Sequence, residues 1–192
     1  MSNRRGKIGD KRVVSVFGSG DPQPGEAEYQ TALAVGRKLT ELGYAVANGG
    51  YGGTMEASAR GSKEAGGETI GVVCSLWKSS PNPYIDRVIS TGNLPERLQT
   101  LIELGLSGYV VLPGATGTLA ELAWAWELSC RGFLPPQPGA PGGAGARQRP
   151  IVCVGDFWRP VIDMMVAVRA ASASHVAVAA TPDELGRFFP GA

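Results

Sequence analysis

Val110-Val111-Leu112-Pro113-Gly114-Ala115-Thr116-Gly117-Thr118-Leu119-Ala120-Glu121 is the stretch around which the chain is organised. A short apolar run of β type stops at a proline, crosses a turn of small residues and opens into a helical pattern. Such a turn leaves backbone N–H groups unpaired at a helix N-terminus, where they and the helix dipole favour an anion. The pattern puts Glu121 in the first helical turn, beside that anion site. An acid next to a phosphate site predicts chemistry on a phosphorylated small molecule.

Working outward, the same alternation recurs. Val13-Val14-Ser15-Val16-Phe17 reads as a buried strand ended by Gly18-Ser19-Gly20-Asp21-Pro22. A helical pattern over residues 26–42 stops at Gly43, and Tyr44-Ala45-Val46-Ala47 is a second strand. The turn Asn48-Gly49-Gly50-Tyr51-Gly52-Gly53-Thr54 leads into a helix over 54–65, then a strand over 69–74. Residues 75–87 contain Pro81 and Pro83 and read as a surface loop. A short strand at 88–90 precedes Asn93-Leu94-Pro95-Glu96, a helix start with a capping residue, an early proline and a glutamate at the third position. After the organising stretch, a helix runs over 118–130. Residues 132–150, rich in glycine and proline, read as a flexible connection. Strands at 151–155 and 175–178, a helix over 158–171 and a C-terminal helix opened by Thr181-Pro182-Asp183-Glu184 complete the chain.

Wholly apolar strands alternating with helices predict an α/β fold, a single-domain Rossmann-like parallel sheet with helices on both faces. The domain spans residues 13–192, behind a basic tail over 1–12 read as solvated and disordered. Right-handed crossovers put every strand-to-helix turn at one edge of the sheet. Gly18, Ser19 and Gly20, then Gly49, Gly50, Gly52, Gly53 and Thr54, then Pro113, Gly114, Ala115, Thr116, Gly117 and Thr118 should therefore share one neighbourhood. Arg97, just inside a helix starting at that edge, joins them.

Composition narrows the function. With 192 residues and a 43% apolar fraction there is material for one core, and a net charge of +1 gives no electrostatic case for nucleic acid or an anionic membrane. No apolar run reaches the ~20 residues needed to span a bilayer. Cys74, Cys130 and Cys153 fit neither a metal spacing nor a disulfide framework, so a reducing cytoplasm is expected. His175, the single histidine, reads as a strand-end residue, and no metal site is expected. Trp124 and Trp126 read as core and interface packing.

Taken singly, each site residue also has an ordinary reading. Any one glycine makes a tight turn. Arg97 could pair on the helix surface with Glu96 or Glu103. Thr118-Leu119-Ala120-Glu121 is a capping-box pattern in which Glu121 merely bonds back to the cap N–H, and spacing alone does not choose between cap and catalyst. Gly117-Thr118-Leu119 lacks the lysine of a Walker loop, and Gly18-Ser19-Gly20 lacks the third glycine of a dinucleotide fingerprint.

Pro113-Gly114-Ala115-Thr116-Gly117-Thr118-Leu119-Ala120-Glu121 resembles the PGGxGTxxE signature of the LONELY GUY (LOG) family, nucleoside-monophosphate phosphoribohydrolases long labelled "lysine decarboxylase". The likeness extends over most of the chain, with Gly49–Glu56 resembling the family's earlier glycine turn. It implies Glu121 and Arg97 as catalytic residues, the glycine turns as phosphate site, no cofactor or metal, and a homodimer. The implied reaction is hydrolysis of a nucleoside 5′-monophosphate to free base and ribose 5-phosphate. The alternative it implies is a non-catalytic nucleotide or molybdenum-cofactor carrier of the same fold. A decarboxylase would need a lysine for pyridoxal phosphate, and no lysine lies near these loops. Ala115 stands where the signature has its second glycine, and one extra residue separates Arg97 from Pro113.

Overall fold

The computed structural model of the chain describes residues 12–134 and 148–191. Seven parallel strands form one sheet in the order β4-β3-β2-β1-β5-β6-β7. The strands are β1 Val13–Phe17, β2 Ala45–Asn48, β3 Thr69–Cys74, β4 Arg87–Thr91, β5 Gly108–Val111, β6 Ile151–Val154 and β7 Ala177–Ala179. Between them lie α1 Ala27–Glu41, α2 Thr54–Glu64, α3 Leu94–Leu104, α4 Thr116–Cys130 and α5 Arg159–Val168.

Strand alternation splits the core into two layers. Val14 and Val16 of β1 join Tyr29, Ala32, Val35 and Leu39 of α1 and Ala57 of α2 on one face. Phe17 of the same strand joins Leu101 and Ile102 of α3, Leu122 and Trp126 of α4, and Trp158 on the other. Helices thus cover both faces, and the Rossmann-like α/β expectation stands. β1 pairs with both β2 and β5, so the direction of winding reverses there. In open parallel sheets that reversal opens a crevice beyond the strand ends, where ligands bind.

Several boundaries differ from the sequence reading. α4 begins at Thr116, two residues earlier than expected. The expected helix over 158–171 ends at Val168, and Ala170–His175 is a separate 3-10 turn. His175 therefore precedes the last strand, and its Nδ1 pairs with Ser129 Oγ at 2.9 Å. The C-terminal helix is a single 3-10 segment, Pro182–Arg187. Of the basic tail only Arg12 is described: its guanidinium lies over the Tyr44 ring and donates to Gly191 O. Most of the predicted connection, residues 135–147, lies outside the described residues.

Candidate functional site

The opening of α4 is set by Ala115, which takes the N-cap position with φ −90° and ψ −156°. That is ordinary extended backbone, so the alanine in place of a second glycine causes no strain. Among the described residues no side chain caps this helix. The first-turn N–H groups of Thr116, Gly117 and Thr118 have no partner within the helix, and Gly117 and Thr118 line the crevice. Thr118 is the third helical residue and is buried, not a cap. Glu121 consequently sits in the second turn, too far along to reach back to the cap, and the capping-box reading falls. The expected first-turn position of Glu121 is corrected with it.

Three turns interlock below this opening. Thr54 donates both its N–H and its hydroxyl to Ser19 O, at 2.9 and 2.8 Å, and Ser19 N–H donates to Pro113 O at 3.2 Å. Glycine is required where the turns touch. A Cβ on Gly18 would overlap Thr54 Oγ1, and one on Gly114 would overlap Thr118 Oγ1. Gly53 combines φ +65° with contact against Gly20.

The result is an open cleft of about 240 Å³, somewhat smaller than the roughly 300–1,000 Å³ usual for small-molecule pockets. Gly18, Ser19, Gly20, Gly49, Ala115, Gly117, Thr118, Arg97 and Glu121 line it. Other predicted members build the walls instead. Pro113, Gly114, Gly53 and Thr54 are engaged in turn-to-turn contacts. Gly50 packs against Val73 and Gly71, Gly52 approaches Gly20 O, and Thr116 is exposed at the helix start. The Thr54 hydroxyl, expected to help hold phosphate, is committed to Ser19 O.

Arg97 is held by the sheet. Asn93 Oδ1 accepts from Glu96 N–H at 2.8 Å and Glu96 Oε2 accepts from Gly92 N–H at 2.7 Å, which fixes the start of α3. At the other end, the Ser15 and Tyr109 hydroxyls donate to Leu101 O and Ile102 O, satisfying last-turn carbonyls. So anchored, α3 aims Arg97 into the cleft. Arg97 Nε donates to Val72 O at 2.8 Å and Nη2 to Gly49 O at 3.1 Å, while Nη1 lies 3.8 Å from Glu121 Oε1. The surface-pairing reading of Arg97 is overturned, since its side chain is 12% exposed and Glu96 is engaged elsewhere. Between α3 and β5 the chain turns at Gly105–Gly108, where Gly108 takes φ +132° and its N–H donates to Gly105 O at 3.2 Å.

Burial pushes the Glu121 carboxyl up to about 7, against a smaller opposing pull from the Arg97 charge. A carboxyl poised near neutrality beside a fixed cation is suited to general acid–base work. Among the described residues no His/Cys/Asp/Glu group has the arrangement to hold a metal ion.

Sequence reasoning missed Tyr51, Met55 and Trp77 as lining residues and gave Asp21 no role. Tyr51 was visible between two glycine pairs. Trp77 lies in the irregular 75–87 loop, where no periodicity marks direction.

The sequence profile of the SLOG cluster4 family matches residues 11–131. An uncharacterized protein of Archaeoglobus fulgidus is 32% identical over 112 residues, 58% of this chain and 72% of its own length. The cytokinin riboside 5′-monophosphate phosphoribohydrolase of Mycobacterium tuberculosis is 30% identical over 149 residues, 76% of this chain and 71% of the relative. Among solved structures, the molybdenum cofactor binding protein of Rippkaea orientalis superposes with a TM-score of 0.71 at 21% identity, covering 92% of this chain and 94% of that one. The last likeness speaks to the fold alone.

Proposed function

The chain belongs to the SLOG cluster4 family, among the LOG-like proteins, and on that premise we propose that it hydrolyses the N-glycosidic bond of a nucleoside 5′-monophosphate. The observation that carries this reading is the juxtaposition of an uncapped α4 N-terminus with the buried Glu121–Arg97 pair in one cleft.

The N–H groups of Thr116, Gly117 and Thr118 hold the 5′-phosphate. Glycosidic cleavage builds positive charge on the pentose, and an ionised Glu121 one turn further along stabilises it and takes a proton from the attacking water. That water adds at C1′, the base leaves with the bonding pair and receives the proton Glu121 took from the water, and ribose 5-phosphate is the other product. Arg97 holds the Glu121 carboxylate at its distance and offsets part of its charge. Asp21, on the same wall and exposed, suits pentose hydroxyls rather than the phosphate.

A homodimer accompanies this reading. The outer side of α5 carries Met164 and Val168, 57% and 83% exposed, an apolar surface suited to a second copy of the chain.

The test is incubation with AMP and with N6-isopentenyl-AMP, measuring free base by chromatography. Release of base supports hydrolysis. Nucleotide bound without any product would favour the carrier reading, for which the same cradle suffices.

A further inference from the structure

We propose that Trp77 and Tyr51 form a stacking platform for the ligand's planar heteroaromatic ring, which makes them the residues that distinguish a base-bearing phosphate from a bare sugar phosphate. The inference rests on the nucleotide reading above and names the part of the cleft that receives the base.

Trp77 follows β3 and is 43% exposed, yet it lines the cleft rather than projecting into open solvent. Its ring meets Tyr51 edge to face, with centroids 5.3 Å apart and planes at 68°. The Arg97 guanidinium lies 5.2 Å from the Trp77 ring centre and 5.7 Å from that of Tyr51. These three planar groups make one wall. An indole left this open forgoes much of the gain from burial, and a flat ring laid against it would recover that gain.

The wall is built in advance. The Tyr51 hydroxyl donates to Cys74 O at 3.2 Å and accepts from Cys74 N–H at 2.9 Å, which locks the ring to the end of β3. The Tyr51 carbonyl accepts from Asn82 Nδ2 at 2.8 Å, and Asn82 N–H donates to Gly50 O at 2.8 Å. Thus the loop after β3 is tied to the turn after β2, and Arg97 is fixed by the Val72 carbonyl of β3 and the Gly49 carbonyl of that turn. A preorganised surface costs little ordering when a ligand arrives.

Connectivity of the ligand then decides where its ring falls. With the phosphate at the α4 opening and C1′ at Glu121, the base must leave C1′ away from the phosphate. Arg97 stands 3.8 Å from Glu121, and its guanidinium also lies over the Trp77 and Tyr51 rings, so all three neighbour the position of C1′. Stacking of this kind tolerates differences between ring systems, because every base presents a π face. A purine bearing an N6 substituent and an unsubstituted one are both compatible with it.

The experiment is calorimetric titration with AMP and with ribose 5-phosphate, in a Glu121→Gln background so that neither is consumed. Comparison is made among Trp77, Trp77→Phe and Trp77→Ala proteins. The platform predicts that Trp77→Ala weakens AMP binding about 5- to 150-fold, the range for losing one base–aromatic stack, while Trp77→Phe retains most of it. Ribose 5-phosphate affinity stays the same in all three, which also reports an intact cradle. If Trp77→Ala leaves AMP binding unchanged, or weakens both ligands equally, the platform is wrong and the cradle stands. If the Trp77 protein binds neither ligand, the nucleotide reading and the platform fall together.

Discussion

Glu121 gives up most of its hydration on burial and gains only a 3.8 Å interaction with Arg97, so its carboxyl is pushed up to about 7 from 4.5. The ionised form is the one that stabilises positive charge on the pentose. We therefore expect kcat/KM for AMP to rise with pH through an inflection near 7 and then level. Glu121→Gln should lower kcat by about 10²- to 10⁴-fold while leaving the fold intact, checked by initial rates and far-UV circular dichroism. Stability moves the other way. A carboxyl whose folded pKa is raised supports the fold below its unfolded pKa and loses that support as pH rises through 7. Glu121→Gln should accordingly be more stable than the parent at pH 8, by up to about 3 kcal/mol, with the gap closing toward pH 4 in denaturant titrations. The acid itself was legible in the sequence, by pattern and by resemblance. Its environment was not, because the burial depends on α3, whose placement is set by Ser15 and Tyr109 reaching the Leu101 and Ile102 carbonyls.

At the scale of elements, strand-turn-helix order could be read directly, since apolar runs and glycine stops mark it locally. The start of α4 could not. Thr118 followed by Glu121 imitates a cap three residues past the actual one, and only the contacts between Ser19, Gly114 and Thr118 reveal the difference. The irregular 75–87 loop hid Trp77 for the same reason, as its course is set by Asn82 of the loop donating to Tyr51 of the turn after β2, against whose ring Trp77 packs. Two glycines inside helices mark where α1 and α2 cross. A Cβ at Gly36 would overlap Ser58 O, and one at Gly61 would overlap Leu33 O. Gly-to-Ala in a helix interior ordinarily stabilises by about 1 kcal/mol, but here the crossing reverses the sign. Gly36→Ala or Gly61→Ala should each destabilise by about 1–3 kcal/mol or more, read as a lower Tm. Gly117→Ala is the contrasting case, because a Cβ built there meets nothing within 4 Å beyond its own chain neighbours and helix backbone. Its Tm should hold, whereas ribose 5-phosphate binding should weaken by about 1–3 kcal/mol as the methyl enters the cleft.

For the molecule as a whole, the reversal of winding at β1 brings residues from positions 18 to 121 to one rim, and the sequence was sufficient to predict that meeting. Which members of the glycine turns would touch a ligand and which would serve as wall was decided by packing between turns, which no single turn encodes. Among the described residues no helix is long and apolar enough to cross a membrane. The apolar outer side of α5 is expected to pair two copies: light scattering should give the mass of a dimer, and Val168→Glu should shift it toward the monomer. The most direct measurement of the central claim is a crystal structure of the Glu121→Gln protein soaked with AMP. The account predicts the phosphate on the N–H groups of Thr116, Gly117 and Thr118, with C1′ facing the side chain at position 121. A phosphate bound elsewhere, or a sugar turned away from that side chain, would contradict it.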